Sequence, residues 1–350
     1  MPTKPVLSVL NIHRIVFAFI FLLAGCGGGS SGNTPTPEPQ PQPEPEPQPQ
    51  PQPQSQGVKN DTWATLDSSL PTARQLATSS VLNSSVYVIG GSETTTLGYS
   101  DAIERYNPSN ARFPWTTRTM PAARIAPCSA TVGNNIYIIG GLTSTGPTDA
   151  VESYNSSSGW SAQTPMPTAR FGSACVAAGG LIYVIGGTTT SGPPQETTAA
   201  IEVYDPVSNT WDTSKSNMPT SRGSLYAALV GNSIYAIGGF DGTNFLSTTE
   251  KYDVANDSWS TLSSMPTARG ARVTGGVIGE RIYVVGGANT DNAALNTVEE
   301  YDPATDQWAT KTPMPTARTA ATASVLGDTL YVFGGLAADN TVLNVVEYYQ

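Results

Sequence analysis

Six arginines recur along the chain, each closing a Pro-x-x-Arg sequence that reads MPTAR in three of its copies. They are Arg74, Arg124, Arg170, Arg222, Arg269 and Arg318. A guanidinium group carries a planar fork of donors that binds a carboxylate or phosphate group through two hydrogen bonds. If the fold brings these arginines to one face, they form a focused anion site on a chain whose net charge is −10. The six arginines are therefore the candidate ligand-binding residues.

Each arginine also has a candidate partner inside the chain, a glutamate that stands two residues before a recurring tyrosine. The glutamates are Glu104, Glu152, Glu202, Glu250, Glu299 and Glu347. One arginine and one glutamate per repeat is what a repeated internal ion pair produces, and a feature present in every repeat is usually architectural. The sequence leaves both alternatives open. If the arginines are free, we expect a site built from two or three of them together with loop residues.

Histidine occurs once, as His13 near the N-terminus. Its absence elsewhere excludes Ser-His-Asp and Cys-His catalysis and histidine-liganded zinc, copper or iron. We therefore expect no metal and no cofactor, and any catalysis has to rest on carboxylates, tyrosine or arginine. The acids that break the repeat pattern near the arginines are loop residues such as Glu93, Asp241 and Asp291. An acidic chain with no basic stripe also argues against nucleic acid as a partner.

Two cysteines, Cys128 and Cys175, follow repeat arginines by four and five residues. Side chains alternate between the two faces along a strand, so these offsets place the cysteines on opposite faces of their strands. We therefore expect two separate buried thiols, with a disulfide as the less favoured alternative.

The elements that carry these residues repeat with a period of about 48 residues. Every unit contains an apolar run that ends in a glycine pair, such as VYVIGG, and one tryptophan. The glycine pairs begin at Gly90, Gly140, Gly186, Gly238, Gly286 and Gly334. The tryptophans are Trp63, Trp115, Trp160, Trp211, Trp259 and Trp308. Because a single small sheet cannot bury both of its faces, the repeats predict an all-β, six-bladed propeller with four antiparallel strands per blade.

The glycine pair, the strand tyrosine and the tryptophan at these spacings closely resemble the Kelch repeat. The resemblance extends from Trp63 to Tyr349. The second unit departs from it with Asn155-Ser156 where other units have Asp-Pro, and the fifth has one extra residue between Arg269 and Gly286. In Kelch propellers that recognise acidic peptides, arginines of this type lie on the ligand face, and the resemblance implies the same for the six arginines.

The two ends of the repeated region predict how the ring closes. The last unit stops at Tyr349-Gln350, before an outer strand of its own, whereas residues 61–66 form an extra outer strand around Trp63. Pairing these two segments completes the sixth blade and removes the open edges of the ring. We therefore expect the N-terminal outer strand to close the last blade.

Loops of an antiparallel blade divide between two faces. The loop face, where the chain enters the innermost strand of each blade, also receives the long loops at 92–100, 188–197 and 288–296. Function concentrates on such loops. Tyr99, Phe240 and Phe245 break the repeat pattern in the loops of this face, and they are candidate ligand contacts. The opposite side, the turn face, has only tight turns.

The N-terminus predicts export and a lipid anchor. Residues 1–25 resemble a secretory signal peptide, with an apolar run at 15–23 that is shorter than the roughly 20 residues needed to span a bilayer. Leu23-Ala24-Gly25-Cys26 resembles the lipobox of bacterial lipoproteins, which implies cleavage before Cys26 and a lipid on that cysteine. By the same resemblance, Gly27 implies transfer to an outer membrane. We expect a protein anchored in the bacterial cell envelope, on the periplasmic or the surface side.

A tether at 26–60 separates the predicted anchor from the propeller domain at 61–350. Proline occupies every odd position from Pro35 to Pro53, alternating with polar residues. Such a segment forms neither helix nor sheet and favours the extended polyproline II conformation. We expect a semi-rigid spacer that holds the propeller away from the membrane.

These observations favour a lipid-anchored extracytoplasmic binding module that recognises a protein, a peptide or a glycan, in particular an acidic glycan, on the loop face. An enzyme is the less favoured alternative. It would be a histidine-independent sugar mutarotase or epimerase, similar to the periplasmic Kelch mutarotases of sialic acid (N-acetylneuraminate). A third alternative is an architectural protein of the cell envelope. No residue is assigned a catalytic role.

Overall fold

The computed structural model describes residues 60–96, 98–112 and 114–350. Six four-stranded antiparallel sheets form the blades of a β-propeller in this part of the chain, which confirms the predicted all-β fold. The predicted signal peptide, the lipidation site at Cys26 and the tether up to residue 59 lie outside the described residues. None of the described residues belongs to a helix long and apolar enough to cross a membrane.

The first strands of the chain build the outer edge of the last blade and the first two blades. The outer strand of the last blade is β1 (Trp63–Thr65). The first blade contains β2 (Thr78–Leu82), β3 (Ser85–Ile89), β4 (Ala102–Tyr106) and β5 (Trp115–Thr119). The second blade contains β6 (Cys128–Val132), β7 (Asn135–Ile139), the short loop strands β8 (Leu142–Thr143) and β9 (Gly146–Pro147), β10 (Val151–Asn155) and β11 (Gly159–Ala162).

The remaining blades follow in chain order. The third contains β12 (Ala174–Ala178), β13 (Leu181–Ile185), β14 (Ile201–Asp205) and β15 (Thr210–Asp212). The fourth contains β16 (Tyr226–Val230), β17 (Ser233–Ile237), β18 (Thr249–Asp253) and β19 (Ser258–Leu262). The fifth contains β20 (Thr274–Ile278), β21 (Arg281–Val285), β22 (Val298–Asp302) and β23 (Gln307–Lys311). The sixth contains β24 (Arg318–Thr319), β25 (Thr322–Leu326), β26 (Thr329–Phe333), β27 (Leu336–Ala337) and β28 (Val346–Tyr349).

The hydrophobic core lies between neighbouring blades. The second strand of each blade is covered on both faces, which is why it reads as an unbroken apolar run; all five residues of β3 are buried. Its tyrosine packs on the third-strand tyrosine of the next blade, as Tyr183 does on Tyr252, with ring centroids 6.1 Å apart. The tryptophan indole reaches back to the preceding blade, as Trp259 Nε1 does when it donates to Ser216 O at 3.0 Å.

The glycine pair allows this close stacking. Gly90 has φ 64°, and a Cβ atom there would lie 2.7 Å from the carbonyl oxygen of Arg124 in the next blade. The N–H group of Gly91 donates to the same carbonyl at 2.9 Å. A side chain at Gly90 would therefore break the contact between the two blades.

The ring closes as the sequence predicts. Strand β1 pairs antiparallel with β28, and Trp63 lies opposite Tyr349. The N–H group of Thr62 donates to Gln350 O at 3.2 Å, and the Tyr349 hydroxyl donates to the carboxylate of Asp61. The outer edge of the sixth blade is therefore supplied by the N-terminal end of the propeller.

The expectation of two separate thiols is wrong, because Cys128 and Cys175 form a disulfide between β6 and β12 with Cα atoms 5.4 Å apart. The two residues do lie on opposite faces of their sheets, as the alternation argument requires. However, neighbouring blades stack face to face, so side chains meet across the interface only from opposite faces. Thr78 and Ser129 occupy the same two positions one blade earlier, and their hydroxyl oxygens lie 2.9 Å apart.

Candidate functional site

The six repeat arginines lie inside the blades, where each side chain is at most 1% exposed. Each guanidinium group faces the glutamate of its own repeat. The ion pairs are Arg74–Glu104, Arg124–Glu152, Arg170–Glu202, Arg222–Glu250, Arg269–Glu299 and Arg318–Glu347. This geometry matches the internal ion-pair alternative. None of these arginines presents its charge to the loop face as the structure stands.

The fourth blade shows how such a pair is held. Arg222 Nη2 lies 2.6 Å from Glu250 Oε2, and Arg222 Nη1 donates to Thr248 O at 3.1 Å. The hydroxyl of Thr220, the threonine of the Pro-x-x-Arg motif, donates to Glu250 Oε1 at 2.7 Å. The motif therefore supplies both the cation and a second hydrogen bond to the carboxylate. Sequence reasoning did not assign this role to the threonine.

The same threonine contact recurs in three other repeats. These contacts are Thr168 to Glu202, Thr267 to Glu299 and Thr316 to Glu347. Burial removes water from the charges, and it lowers the pKa of all six guanidinium groups while the glutamates oppose the change. The pKa of the Glu152 carboxyl is raised by the same loss of hydration, against the opposing effect of Arg124. These groups fix the geometry of each blade.

The innermost strands of the six blades, β2, β6, β12, β16, β20 and β25, surround a central channel. A ring of backbone hydrogen bonds organises the mouth of this channel on the loop face. Near the second residue after each repeat arginine the backbone turns through a positive φ, as at Ala126 with φ 49°. The N–H and C=O groups at these turns link each blade to the preceding one. The bonds are Leu76 N to Ala320 O, Ala126 N to Leu76 O, Gly172 N to Ala126 O, Ser224 N to Gly172 O, Val273 N to Ser224 O and Ala320 N to Ala271 O.

The fifth blade inserts its extra residue into this ring. Ala271 and Arg272 have consecutive positive φ angles, 50° and 68°. The ring stays closed because the ring acceptor is Ala271 O and the ring donor is the N–H group of Val273. Arg272 is therefore the residue that has no counterpart in the other blades. Its sequence signal was the one-residue lengthening of the fifth unit.

The Arg272 side chain crosses the channel. Its Nη2 donates to the carbonyl oxygen of Pro127 at 2.7 Å. Pro127 belongs to the second blade, which stands opposite the fifth in a ring of six. Arg272 forms no ion pair with a carboxylate among the described residues. Desolvation lowers its pKa to about 10, so the side chain remains charged at neutral pH.

Below Arg272 lies a cavity of about 110 Å³, here called the mouth cavity, which is lined by the start of the innermost strand of every blade. About half of its lining residues carry a hydroxyl group. They are Thr78, Ser79, Ser129, Ser173, Ser224, Tyr226, Thr274 and Thr322. The disulfide also reaches the wall. No carboxylate and no imidazole is among the described lining residues, so Arg272 is the charged group of this cavity.

The loop residues that the sequence suggested as ligand contacts or as acids near the arginines do not line the mouth cavity. Phe240 and Phe245 pack edge to face, with ring centroids 5.7 Å apart, and Glu93 accepts a hydrogen bond from the Ser100 hydroxyl at 3.0 Å. The suggested residues that do not line the mouth cavity are Glu93, Tyr99, Phe240, Asp241, Phe245 and Asp291. No cluster of three or more potential metal ligands occurs in the described ranges.

The fold defines a six-bladed propeller, and comparison with known proteins adds the family. The model of the KLHDC2/KLHL20/DRC7 Kelch-repeats domain matches residues 155–335, and the Kelch motif matches residues 123–167. The chain therefore belongs to the Kelch-repeat family.

The solved structure of the protein YjhT is similar to this chain, with a TM-score of 0.68 and 15% sequence identity. The match covers 79% of this chain and 95% of that chain. At this identity the likeness shows the shared fold. No curated protein sequence matches the chain.

Proposed function

We propose that this protein is a lipid-anchored binding module of a bacterial cell envelope that recognises an acidic glycan at the mouth cavity of its propeller. The observation that carries this proposal is Arg272, a cation without a carboxylate partner among the described residues. It lies over a cavity whose wall combines hydroxyl groups with small apolar residues and the disulfide.

At about 110 Å³ the cavity complements the acidic end of a sugar, whose remaining atoms extend out of the mouth. A carboxylate on the ligand pairs with the Arg272 guanidinium, which gives up its bond to the carbonyl oxygen of Pro127 in exchange for a charge-assisted one. Several wall hydroxyls already bond one another, as in Thr78–Ser129 and Ser79–Thr322. Each keeps acceptor capacity for a sugar hydroxyl. On a protein of net charge −10, a single cation focused in a concave mouth also selects the acidic end of a ligand.

Binding fits this cavity better than anomer exchange. Mutarotation needs a positioned general acid and base at the reacting carbon. The described wall offers hydroxyl groups and one arginine, whereas the repeat glutamates are engaged inside the blades. The Tyr226 hydroxyl is held protonated because desolvation raises its pKa. A protein or peptide partner with a terminal carboxylate is the alternative that the experiment has to separate.

The predicted N-terminus supports a role at a distance from the membrane. A lipid on Cys26 would hold the chain at the outer membrane, and the proline-rich tether would extend the propeller from it. A binding module gains from such reach because its mouth cavity can contact ligands in the surrounding envelope.

Thermal unfolding of the purified protein tests the proposal. We expect glucuronate and N-acetylneuraminate to raise the Tm, and glucose at the same concentration to leave it unchanged. A ligand at 100 times its Kd contributes about 2.7 kcal/mol to the free energy of unfolding. The effect should weaken at high salt.

Arg272→Gln should abolish the stabilisation by acidic sugars. The ligand-free Tm should change little, because the lost hydrogen bond to Pro127 O is offset by the removal of a desolvated charge that has no carboxylate partner among the described residues. The matched control is Lys251→Gln, which removes a half-buried cation from β18 and should retain the response. Stabilisation by acidic sugars that persists in Arg272→Gln, or no response to any sugar in the unmodified protein, would overturn the proposal. In the second case, a peptide with a free C-terminal carboxylate would be the next probe.

A further inference from the structure

A second cavity, of about 60 Å³, lies between the first and second blades and shares no residue with the mouth cavity. We call it the interblade cavity. Its lining residues are Tyr87, Ile103, Arg105, Thr116, Arg118, Tyr154 and Ser156. Ser156 belongs to the tight turn between β10 and β11, so the cavity lies towards the turn face, away from the long loops.

The other blade interfaces suggest what is missing here. At four of them, the third-strand tyrosine donates its hydroxyl to an aspartate or asparagine five residues later, or to Asp61 just before β1. These contacts are Tyr204–Asn209, Tyr252–Asp257, Tyr301–Asp306 and Tyr349–Asp61. In the second blade, the residue five positions after Tyr154 is Gly159. The interface between the first and second blades therefore lacks an acceptor that these interfaces contain.

Two arginines occupy the same interface. Arg105 on β4 and Arg118 on β5 lie on the face of the first blade that covers the second. The structurally equivalent residues of the fifth blade, Glu300 and Lys311, form an ion pair at 3.3 Å. In the first blade, both members of this diagonal cross-strand pair are cations, and like charges in neighbouring strands destabilise a sheet.

Neither arginine is neutralised by an acid of the described chain. Arg105 Nε donates to the Ser85 hydroxyl at 3.0 Å, and no ion pair of either arginine occurs among the described residues. The remaining lining groups are hydroxyls and one apolar side chain, and no carboxylate is present in the wall. Desolvation raises the pKa of Tyr87, although the nearby charges of Arg105 and Arg118 oppose this change, so the Tyr87 hydroxyl stays a donor.

We propose that the interblade cavity is a second binding site, which takes an oxyanion group, a carboxylate or a phosphate, between Arg105, Arg118 and the Tyr154 hydroxyl. The bound oxygen atoms would replace the acceptor that Gly159 removes. A water molecule needs about 10–15 Å³ of such space, so about 60 Å³ holds one oxyanion group rather than a whole sugar ring. The ligand is therefore an acidic group whose remaining atoms extend into solvent past Arg118, which is exposed.

Thermal unfolding of the Arg272→Gln variant tests the proposal, because this variant should no longer bind anions in the mouth cavity. Inorganic phosphate, acetate and glucuronate should each be compared with chloride at the same ionic strength. We expect a Tm rise that saturates with concentration for phosphate or for the carboxylates. The anion that raises the Tm shows whether the site prefers a phosphate or a carboxylate group. Adding Arg105→Gln and Arg118→Gln should weaken the response at least tenfold in apparent Kd.

A second variant keeps the test independent of any loss of stability. Gly159→Asp restores the acceptor found in other blades, and φ at Gly159 is 81°, in the positive region that Asp257 and Asp306 adopt with φ 49° and 55°. A Cβ atom at Gly159 meets no other atom within 4 Å. This variant should raise the ligand-free Tm and abolish the response to added oxyanions.

Two results would overturn the proposal. One is an oxyanion response of equal size with and without Arg105 and Arg118. The other is no response to any of the three anions. Because the mouth cavity depends on Arg272 and the interblade cavity on Arg105 and Arg118, failure at one site is distinguishable from failure at the other.

Discussion

Arg222→Met removes one partner of a fully buried ion pair and should destabilise the whole propeller. Arg222 is 0% exposed and Glu250 1% exposed, so solvent does not screen the charges. The substitution leaves the Glu250 carboxylate buried with only the Thr220 hydroxyl as a partner. It also removes the guanidinium donor from the carbonyl oxygen of Thr248.

The expected magnitude follows from this burial. Removing one partner of a buried ion pair costs about 3–5 kcal/mol, because the other charge stays uncompensated. A propeller of about 290 residues has an unfolding entropy near 0.6 kcal/mol/K, at about 2.1 cal/mol/K per residue, so the Tm should fall by about 5–8 °C. The double variant Arg222→Met/Glu250→Leu removes both charges and should recover at least half of the loss.

Urea unfolding of Arg222→Met, Glu250→Leu and the double variant measures these changes as a double-mutant cycle. The matched control is Arg281→Met, which breaks the partly exposed Arg281–Asp302 pair and should cost about 1 kcal/mol or less. If Arg222→Met is no more destabilising than Arg281→Met, the repeat arginines do not form essential internal pairs. Their placement inside the blades would then be refuted.

Replacing Cys128 and Cys175 with alanine should lower the free energy of unfolding by about 2–4 kcal/mol, and a reductant should then affect the unmodified protein but not the variant. Hydrogen bonds from the Tyr252 hydroxyl and a backbone N–H group lower the pKa of Asp257 below its ordinary value of 3.8. The ionised Asp257 carboxylate therefore stabilises the fold at pH values above 3.8. This stabilisation is lost as the pH falls through the lowered pKa of the folded protein. Asp257→Asn should therefore show a smaller loss of stability in urea unfolding between about pH 5 and pH 2, and an equal loss would refute this role. Deletion of residues 61–66 removes β1 and should lower the single Tm of the entire ring in a calorimetric scan, whereas an unchanged Tm would contradict closure through β1.

The blade architecture was predictable because it depends on spacing. The glycine pairs, tyrosines and tryptophans recur at fixed positions, and the structure places each at a blade-to-blade contact, as for Gly90 against Arg124. Closure by the N-terminal strand was predictable for the same reason, since one strand was missing at one end and one was extra at the other.

The contents of the candidate sites were harder to predict. The repeat showed that each blade has one arginine and one glutamate, but periodicity does not show whether a side chain faces the channel or the blade interior. The disulfide was missed because the alternation rule was applied to single strands and not to two stacked sheets. Arg272 was visible only as one extra residue, and its crossing to Pro127 depends on the width of the channel. The placement of Arg105 and Arg118 on the same face of neighbouring strands depends on the cross-strand register.

A crystal structure of the protein with glucuronate bound would show which arginine holds the acidic group. We expect the carboxylate end of the ligand in the mouth cavity, with its oxygens about 3 Å from the Arg272 guanidinium group and the Arg272–Pro127 hydrogen bond broken. The six repeat arginines should keep their glutamate partners in that complex. A ligand bound through the repeat arginines, or an empty mouth cavity beneath an unmoved Arg272 at a saturating concentration, would refute binding of the acidic group by Arg272.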